Sequence, residues 1–327
     1  LVKCLVDGGS NVSVPFPDSA DSSIVGWLPL HVSCWKRDGI STKALLDKQP
    51  DLIHSMTSKE HFTPLHCALL VEDNMDVLNV LFGHTMKPNV QKADNEGNTP
   101  LHLASTLKSY GGGKMIDQLM EMGASVTKQN KRGKTALHVA TQQQMIENVI
   151  SLLKSPEKNQ VINIVDGDGR TPLDYGTASD ITTTTATVNP DIATLLIDNG
   201  AEPILGGGND TLLCWAARHS FNNLATKILA IPKGIETMNQ RGIEGKTALE
   251  EASQQENDQL VQTLMDKKVD VKNGIPLHWA MRGKGVNPEI VLTMLIQEGV
   301  DVKKKETENG WSVMHEAVMM MVKRGVK

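Results

Sequence analysis

Short apolar runs at helical spacing, each launched from a small polar turn, recur along this chain. The clearest is Gly97-Asn98-Thr99-Pro100-Leu101-His102-Leu103-Ala104. Gly97 can take the positive φ that leaves a hairpin, and the Thr99 hydroxyl can cap the free N–H groups that follow it. Pro100 then occupies the first helical position, where a missing N–H costs nothing. Leu101 and Ala104 share a face, and Ala is small enough to let a second helix approach closely. The stretch predicts a short helix that needs a partner.

Imperfect copies lie on both sides: Leu28-Pro29-Leu30-His31, Thr63-Pro64-Leu65-His66, Thr135-Ala136-Leu137-His138 and Thr171-Pro172-Leu173-Asp174. Weaker ones are Thr211-Leu212-Leu213-Cys214, Thr247-Ala248-Leu249-Glu250, Ile275-Pro276-Leu277-His278 and Ser312-Val313-Met314-His315. The third position falls at 30, 65, 101, 137, 173, 213, 249, 277 and 314, so the steps are 35, 36, 36, 36, 40, 36, 28 and 37. A period of this size is a supersecondary unit. Together with the later Leu195-Leu196-Ile197-Asp198-Asn199-Gly200-Ala201, the signature resembles the ankyrin repeat, whose period is about 33.

The resemblance implies an all-α, ankyrin-repeat solenoid of paired antiparallel helices with hairpin loops, running through residues 1–327 as a single domain. About eight full repeats would occupy roughly 26–310, with partial repeats at 1–14 and 311–327. Both ends read as cut, which predicts a fragment of a longer chain. The regular units are about three residues too long, with the excess between the first helix and the hairpin. Ser109-Tyr110-Gly111-Gly112-Gly113 reads as one inter-helix loop, and Ser155 to Asn159 as an extended loop after Leu153. Residues 178–190, with Thr182 to Thr185, are too polar to order themselves. The short step before Leu277 predicts a missing hairpin around Val271 to Pro276.

Composition narrows the function. A formal charge of −5 offers no electrostatic footprint for nucleic acid. No run approaches the length of a membrane span. The four cysteines, Cys4, Cys34, Cys67 and Cys214, lack metal or redox spacing and suit structural thiols in an intracellular, cytoplasmic chain.

Candidate chemistry is thin. Gly133-Lys134-Thr135 and Gly245-Lys246-Thr247 imitate a phosphate loop, but Lys128 and Gln240 stand where its first Gly belongs. Asp166-Gly167-Asp168-Gly169 imitates a calcium loop, but Ile164 and Tyr175 occupy ligand positions. His31, His66, His102, His138, His278 and His315 recur one per repeat, too far apart to share an ion. In ankyrin-like repeats this His ties the hairpin to the helix start through its two ring nitrogens. No catalytic, cofactor or metal residue is expected, and the chain reads as a non-enzyme.

The resemblance implies ligands along the concave face, on the residue before each capping Thr and those seven and eight after it. That spacing selects Trp27, Trp35 and Lys36; Phe62, Leu70 and Val71; Asn98, Thr106 and Leu107; and Lys134, Gln142 and Gln143. It continues with Arg170, with Arg218 and His219, and with Lys246, Gln254 and Gln255. An apolar hot spot near Trp27, Trp35, Phe62 and Leu70 is expected, followed by a basic strip that steers an acidic segment of the partner. The alternative is that loops 15–25 and 83–88 fold over the aromatics, or that Trp35 is core. The expected function is a scaffold that binds a partner polypeptide. Other readings are a regulatory or docking arm of a larger enzyme, ubiquitin-ligase adaptor or channel, and a pathogen effector that engages host proteins.

Overall fold

The computed structural model describes residues 9–17, 23–108, 111–177, 190–205, 210–242, 245–255 and 257–270, with isolated positions beyond. The expectations for the N-terminal half repeat before residue 9, for residues 178–189, and for nearly all of 271–327 lie outside the described residues. The chain divides into two compact units, Leu1–Tyr175 and Gly176–Lys327.

In the first unit, helices come in pairs: α1 (Pro29–Trp35) with α2 (Gly39–Lys48), α3 (Pro64–Leu69) with α4 (Met75–Gly83), α5 (Pro100–Ala104) with α6 (Gly112–Glu121), and α7 (Ala136–Gln142) with α8 (Ile146–Leu153). A short α9 (Lys158–Val161) follows, and α10 (Pro172–Thr177) closes the unit and crosses its boundary. First helices pack on first helices, α1 on α3 on α5 on α7, and second helices do likewise, α2 on α4 and α6 on α8. The second unit repeats the plan with α11 (Pro190–Asp198), α12 (Leu212–Arg218), α13 (Asn222–Ile228), α14 (Pro232–Thr237), α15 (Ala248–Gln254) and α16 (Asp258–Asp266). There α12 packs on α15, and α13 lies between α11 and α16. Among the described residues there is no β-strand, only isolated bridges such as Ile204 with Thr211.

The repeated leucines are the core. Leu30, Leu65, Leu101, Leu137, Leu173, Leu213 and Leu249 are all buried, as are Ala68, Ala104, Ala140, Ala216 and Ala252 three residues on. Such layers stabilise only when neighbouring repeats stack, because one helix pair cannot bury its own apolar face.

The hairpins bond to one another. Asn95 N–H donates to the Glu60 carbonyl, Lys131 N–H to Glu96 and Gly167 N–H to Arg132, at 2.9, 3.0 and 2.9 Å. Each tip is also closed by one Asx side chain. Asp94, Asn130 and Asp166 each accept two backbone N–H groups through Oδ1. The apparent calcium loop is therefore a hairpin tip. Gly97, at φ +81°, is required twice over, since a Cβ there would stand 2.8 Å from Lys131 N.

The excess length is partly helical, which corrects two expectations. Residues 158–161 form α9 where a plain loop was expected. Gly112 and Gly113 lie inside α6 instead of an inter-helix loop. A Cβ at Gly112 would meet Asn148 Oδ1 at 2.5 Å, so this glycine lets α6 and α8 approach closely. A 3-10 turn at Pro50–His54 and α14 supply the extra length in two other repeats.

Candidate partner-binding surface

The helix starts fix where every candidate side chain points. Thr63, Thr99 and Thr135 stand at the N-cap, and the His three residues later turns back over them. In each, Nδ1 accepts the Thr backbone N–H, at 3.2, 3.2 and 3.1 Å. Because Nδ1 accepts, Nε2 carries the proton and donates one repeat onward: His66 to the Asn98 carbonyl, His102 to Lys134 and His138 to Arg170, at 3.2, 2.9 and 3.1 Å. Burial lowers all three pKa values against the partial support of those carbonyls, and lowers that of His31 to about 4. The histidines are neutral struts between repeats. Leu28 lacks a hydroxyl, yet its N–H still finds His31 Nδ1 at 3.1 Å.

Each strut takes hold of the carbonyl of the residue just before the next capping Thr. That residue therefore leaves the hairpin in a fixed direction, and at Trp27, Lys134 and Lys246 the side chain eight residues later meets it. Trp27 and Trp35 touch edge to face with ring centroids 5.9 Å apart. Lys134 Nζ donates to Gln142 Oε1 at 2.7 Å, and Lys246 Nζ to Gln254 Oε1 at 2.8 Å. A family model for ankyrin repeats, in three copies, matches residues 108–205. The probable 26S proteasome regulatory subunit p28 of Saccharomyces cerevisiae is 31% identical over 182 residues, covering 54% of this chain and 72% of that one. This chain is an ankyrin-repeat protein. Transient receptor potential cation channel subfamily A member 1 of Drosophila melanogaster is 26% identical over 155 residues, which span 45% of this chain and 12% of the channel. The human ASB11 ankyrin repeat domain aligns with 68% of this chain at 20% identity and a TM-score of 0.48.

At the N-terminal end of the ankyrin-repeat surface, the four expected apolar residues are differently placed. Trp27 is only 5% exposed, correcting the expectation that it faces solvent. Phe16 N–H bonds to the Trp27 carbonyl at 2.8 Å and the Trp27 indole N–H donates to Glu60 at 3.2 Å, so the loop before it folds onto the ring's backbone. Trp35 and Phe62 stay half-buried around Trp27, with the Lys36 ammonium 4.1 Å over the Trp35 ring. Leu70 is 44% exposed and Val71 half-buried. Asn98 gives its side-chain amide to Asp94, and Leu107 is buried at 8%, a second correction.

The basic strip also changes. Lys134 lies 4.3 Å over the Tyr175 ring, with the Arg170 guanidinium 5.7 Å from the same centroid. Tyr175 OH donates to Asp166 Oδ2 at 2.7 Å; burial first, and that carboxylate second, push the phenol up to about 12. Tyr175 had no place in the spacing rule, since it lies four residues past its cap. In the second unit, Arg218 is bridged to Asp210 and Glu251, each at 2.9 Å, with Glu251 1% exposed. Those bonds outweigh the cost of burial and raise the guanidinium pKa. Lys246 is 8% exposed. Neither Arg218 nor Lys246 is the free surface cation expected of it, because each has been turned inward by an acceptor of its own repeat stack. Cys34, Cys67 and Cys214 are buried free thiols; burial pushes Cys34 up to about 12. Among the described residues no helix is long and apolar enough to cross a membrane.

Proposed function

We propose that this ankyrin-repeat chain is a recognition module without chemistry of its own, which holds a partner polypeptide on the face carrying the residue before each helix cap and those seven and eight beyond. The recurring contact between those positions supports this reading. Trp27 with Trp35 and Lys134 with Gln142 in the first unit, and Lys246 with Gln254 in the second, repeat one local contact set by the hairpins, and preorganised surfaces lose little entropy on binding. Trp35, Phe62 and Leu70 supply its apolar anchors. Buried free thiols suit an intracellular setting. The likeness to a probable 26S proteasome regulatory subunit favours a second reading, a docking arm on a larger assembly.

The test is photo-crosslinking in native lysate, with the reactive residue at Leu70, Gln142 or Gln254 and, as controls, at the outer-helix positions Lys114 or Lys227. Adducts confined to the first set are expected. Adducts formed equally well from the controls overturn the assignment of the face.

A further inference from the structure

We propose that the hairpin at residues 127–134, with Arg170 from the next hairpin, receives an acidic segment of the partner polypeptide. This rests on the recognition reading above and says which chemistry the middle of the face selects. The hairpin carries Lys128, Lys131, Arg132 and Lys134 and no acidic residue. Lys128, Lys131, Arg132 and Arg170 are exposed and Lys134 is half-buried. Elsewhere several cations are matched with carboxylates: Lys154 with Asp117, Arg218 with Asp210 and Glu251, Lys227 with Asp198, and Arg241 with Glu250. Among the described residues, none of the five cations of this patch forms an ion pair.

The nearest carboxylate is already committed. Asp166 spends Oδ1 on the backbone N–H groups of Asp168 and Arg170, and Oδ2 on the Tyr175 hydroxyl. Asp168 stands exposed beside it and bounds the patch on that side, as exposed Glu96 does on the preceding hairpin. The Tyr175 ring gathers both Lys134 and Arg170, at 4.3 and 5.7 Å from its centroid. A guanidinium and an ammonium so arranged offer forked and point donors to successive carboxylates. The patch is one hairpin wide on a chain of net charge −5, which fits a short acidic peptide better than the long phosphate track of a duplex.

The experiment uses the full chain and a fluorescein-labelled octaglutamate peptide, read by anisotropy, with octalysine and a short DNA duplex as parallel probes. Octaglutamate should bind at about 50 mM salt and weaken as salt screens the charges. The double reversal Lys131→Glu/Arg132→Glu should weaken it about ten-fold, whereas Lys267→Glu/Lys268→Glu in the second unit should change it by less than about two-fold. Circular dichroism checks folding; if the reversal unfolds, Lys131→Gln/Arg132→Gln replaces it with the same expected direction. Absence of octaglutamate binding, equal loss in both variants, or tighter binding of the duplex overturns the proposal. Crosslinks from Leu70 and Gln142 would survive that failure, so the two readings fall separately.

Discussion

The two units build the same helix start with different clamps. In the first, His31, His66, His102 and His138 accept a backbone N–H through one ring nitrogen, and the last three donate through the other to a carbonyl 32 residues ahead. In the second, Cys214 points Sγ at the carbonyls of Gln240 and Lys246, both at 3.6 Å, a weak donor at long range. Glu250 accepts the Thr247 N–H at 2.8 Å and turns toward Arg241. The second unit supplements these with the Arg218 bridge to Asp210 and Glu251. The first unit is thus tied mainly by neutral imidazole struts, with Asp174 accepting the Thr171 N–H at its last helix start, and the second by a thiol and ion pairs, so the two should fail under different conditions.

The widest separation should appear in acid. A buried ring whose folded pKa lies below its unfolded value must be neutral to fold, so its contribution is complete above pH 6.5 and is lost as pH falls toward the folded pKa. With His31 moving from 6.5 to about 4, protonation should cost about 3 kcal/mol at the low end of that window. His66, His102 and His138 shift the same way. Urea unfolding should show stability flat above neutrality and falling between pH 6.5 and 4, and pulsed hydrogen exchange in that window should expose amides of the first unit ahead of the second. Simultaneous loss of protection in both units would erase the distinction.

Restoring the repeat signature in the second unit should do harm. By pattern alone, Cys214→His completes a clamp like that of His102. Yet a Cβ on Gly242 would already lie 2.9 Å from Cys214 Cβ, so the following segment passes where an imidazole ring would sit. Overpacking should therefore destabilise the chain by about 2 kcal/mol. Denaturant midpoints of the variant and parent decide it, and a gain in stability would show that the segment after Gln240 yields.

What could be read from sequence was whatever repeats. The phase of the Pro-Leu-His starts and the buried Leu and Ala follow from a local rule applied copy by copy. The misplacements come from partners outside that rule. Trp27 has its backbone bonded to Phe16, eleven residues upstream, and its indole to Glu60, and Arg218 is neutralised by Glu251, 33 residues on, whose identity no period announces. Tyr175 joins Lys134 with its hydroxyl held by Asp166, a pairing outside the spacing rule. The turns between paired helices mislead similarly: Arg37, Asp73, Gln144 and Ser220 all adopt positive φ, with no glycine to mark the position.

A last contrast between the units lies where their second helices end. Gly123 ends α6 at φ +87°, and Ala124 N–H then reaches back to the Leu119 carbonyl at 2.9 Å. Lys268 ends α16 in the same way at φ +61°, with Val269 N–H reaching the Leu264 carbonyl at 3.2 Å. An L side chain in this left-handed cap costs about 1 kcal/mol, against which glycine's greater freedom in the unfolded chain returns a few tenths. The Lys268 side chain is exposed, so removing it sacrifices little packing. Lys268→Gly should therefore raise stability by about 0.5 kcal/mol, measurable as a higher denaturant midpoint with an unchanged slope. Gly123→Lys, the reciprocal change in the first unit, should lower it by a similar amount. If both variants moved the midpoint in the same direction, the two helix ends would not be the equivalent caps that their matching hydrogen bonds describe.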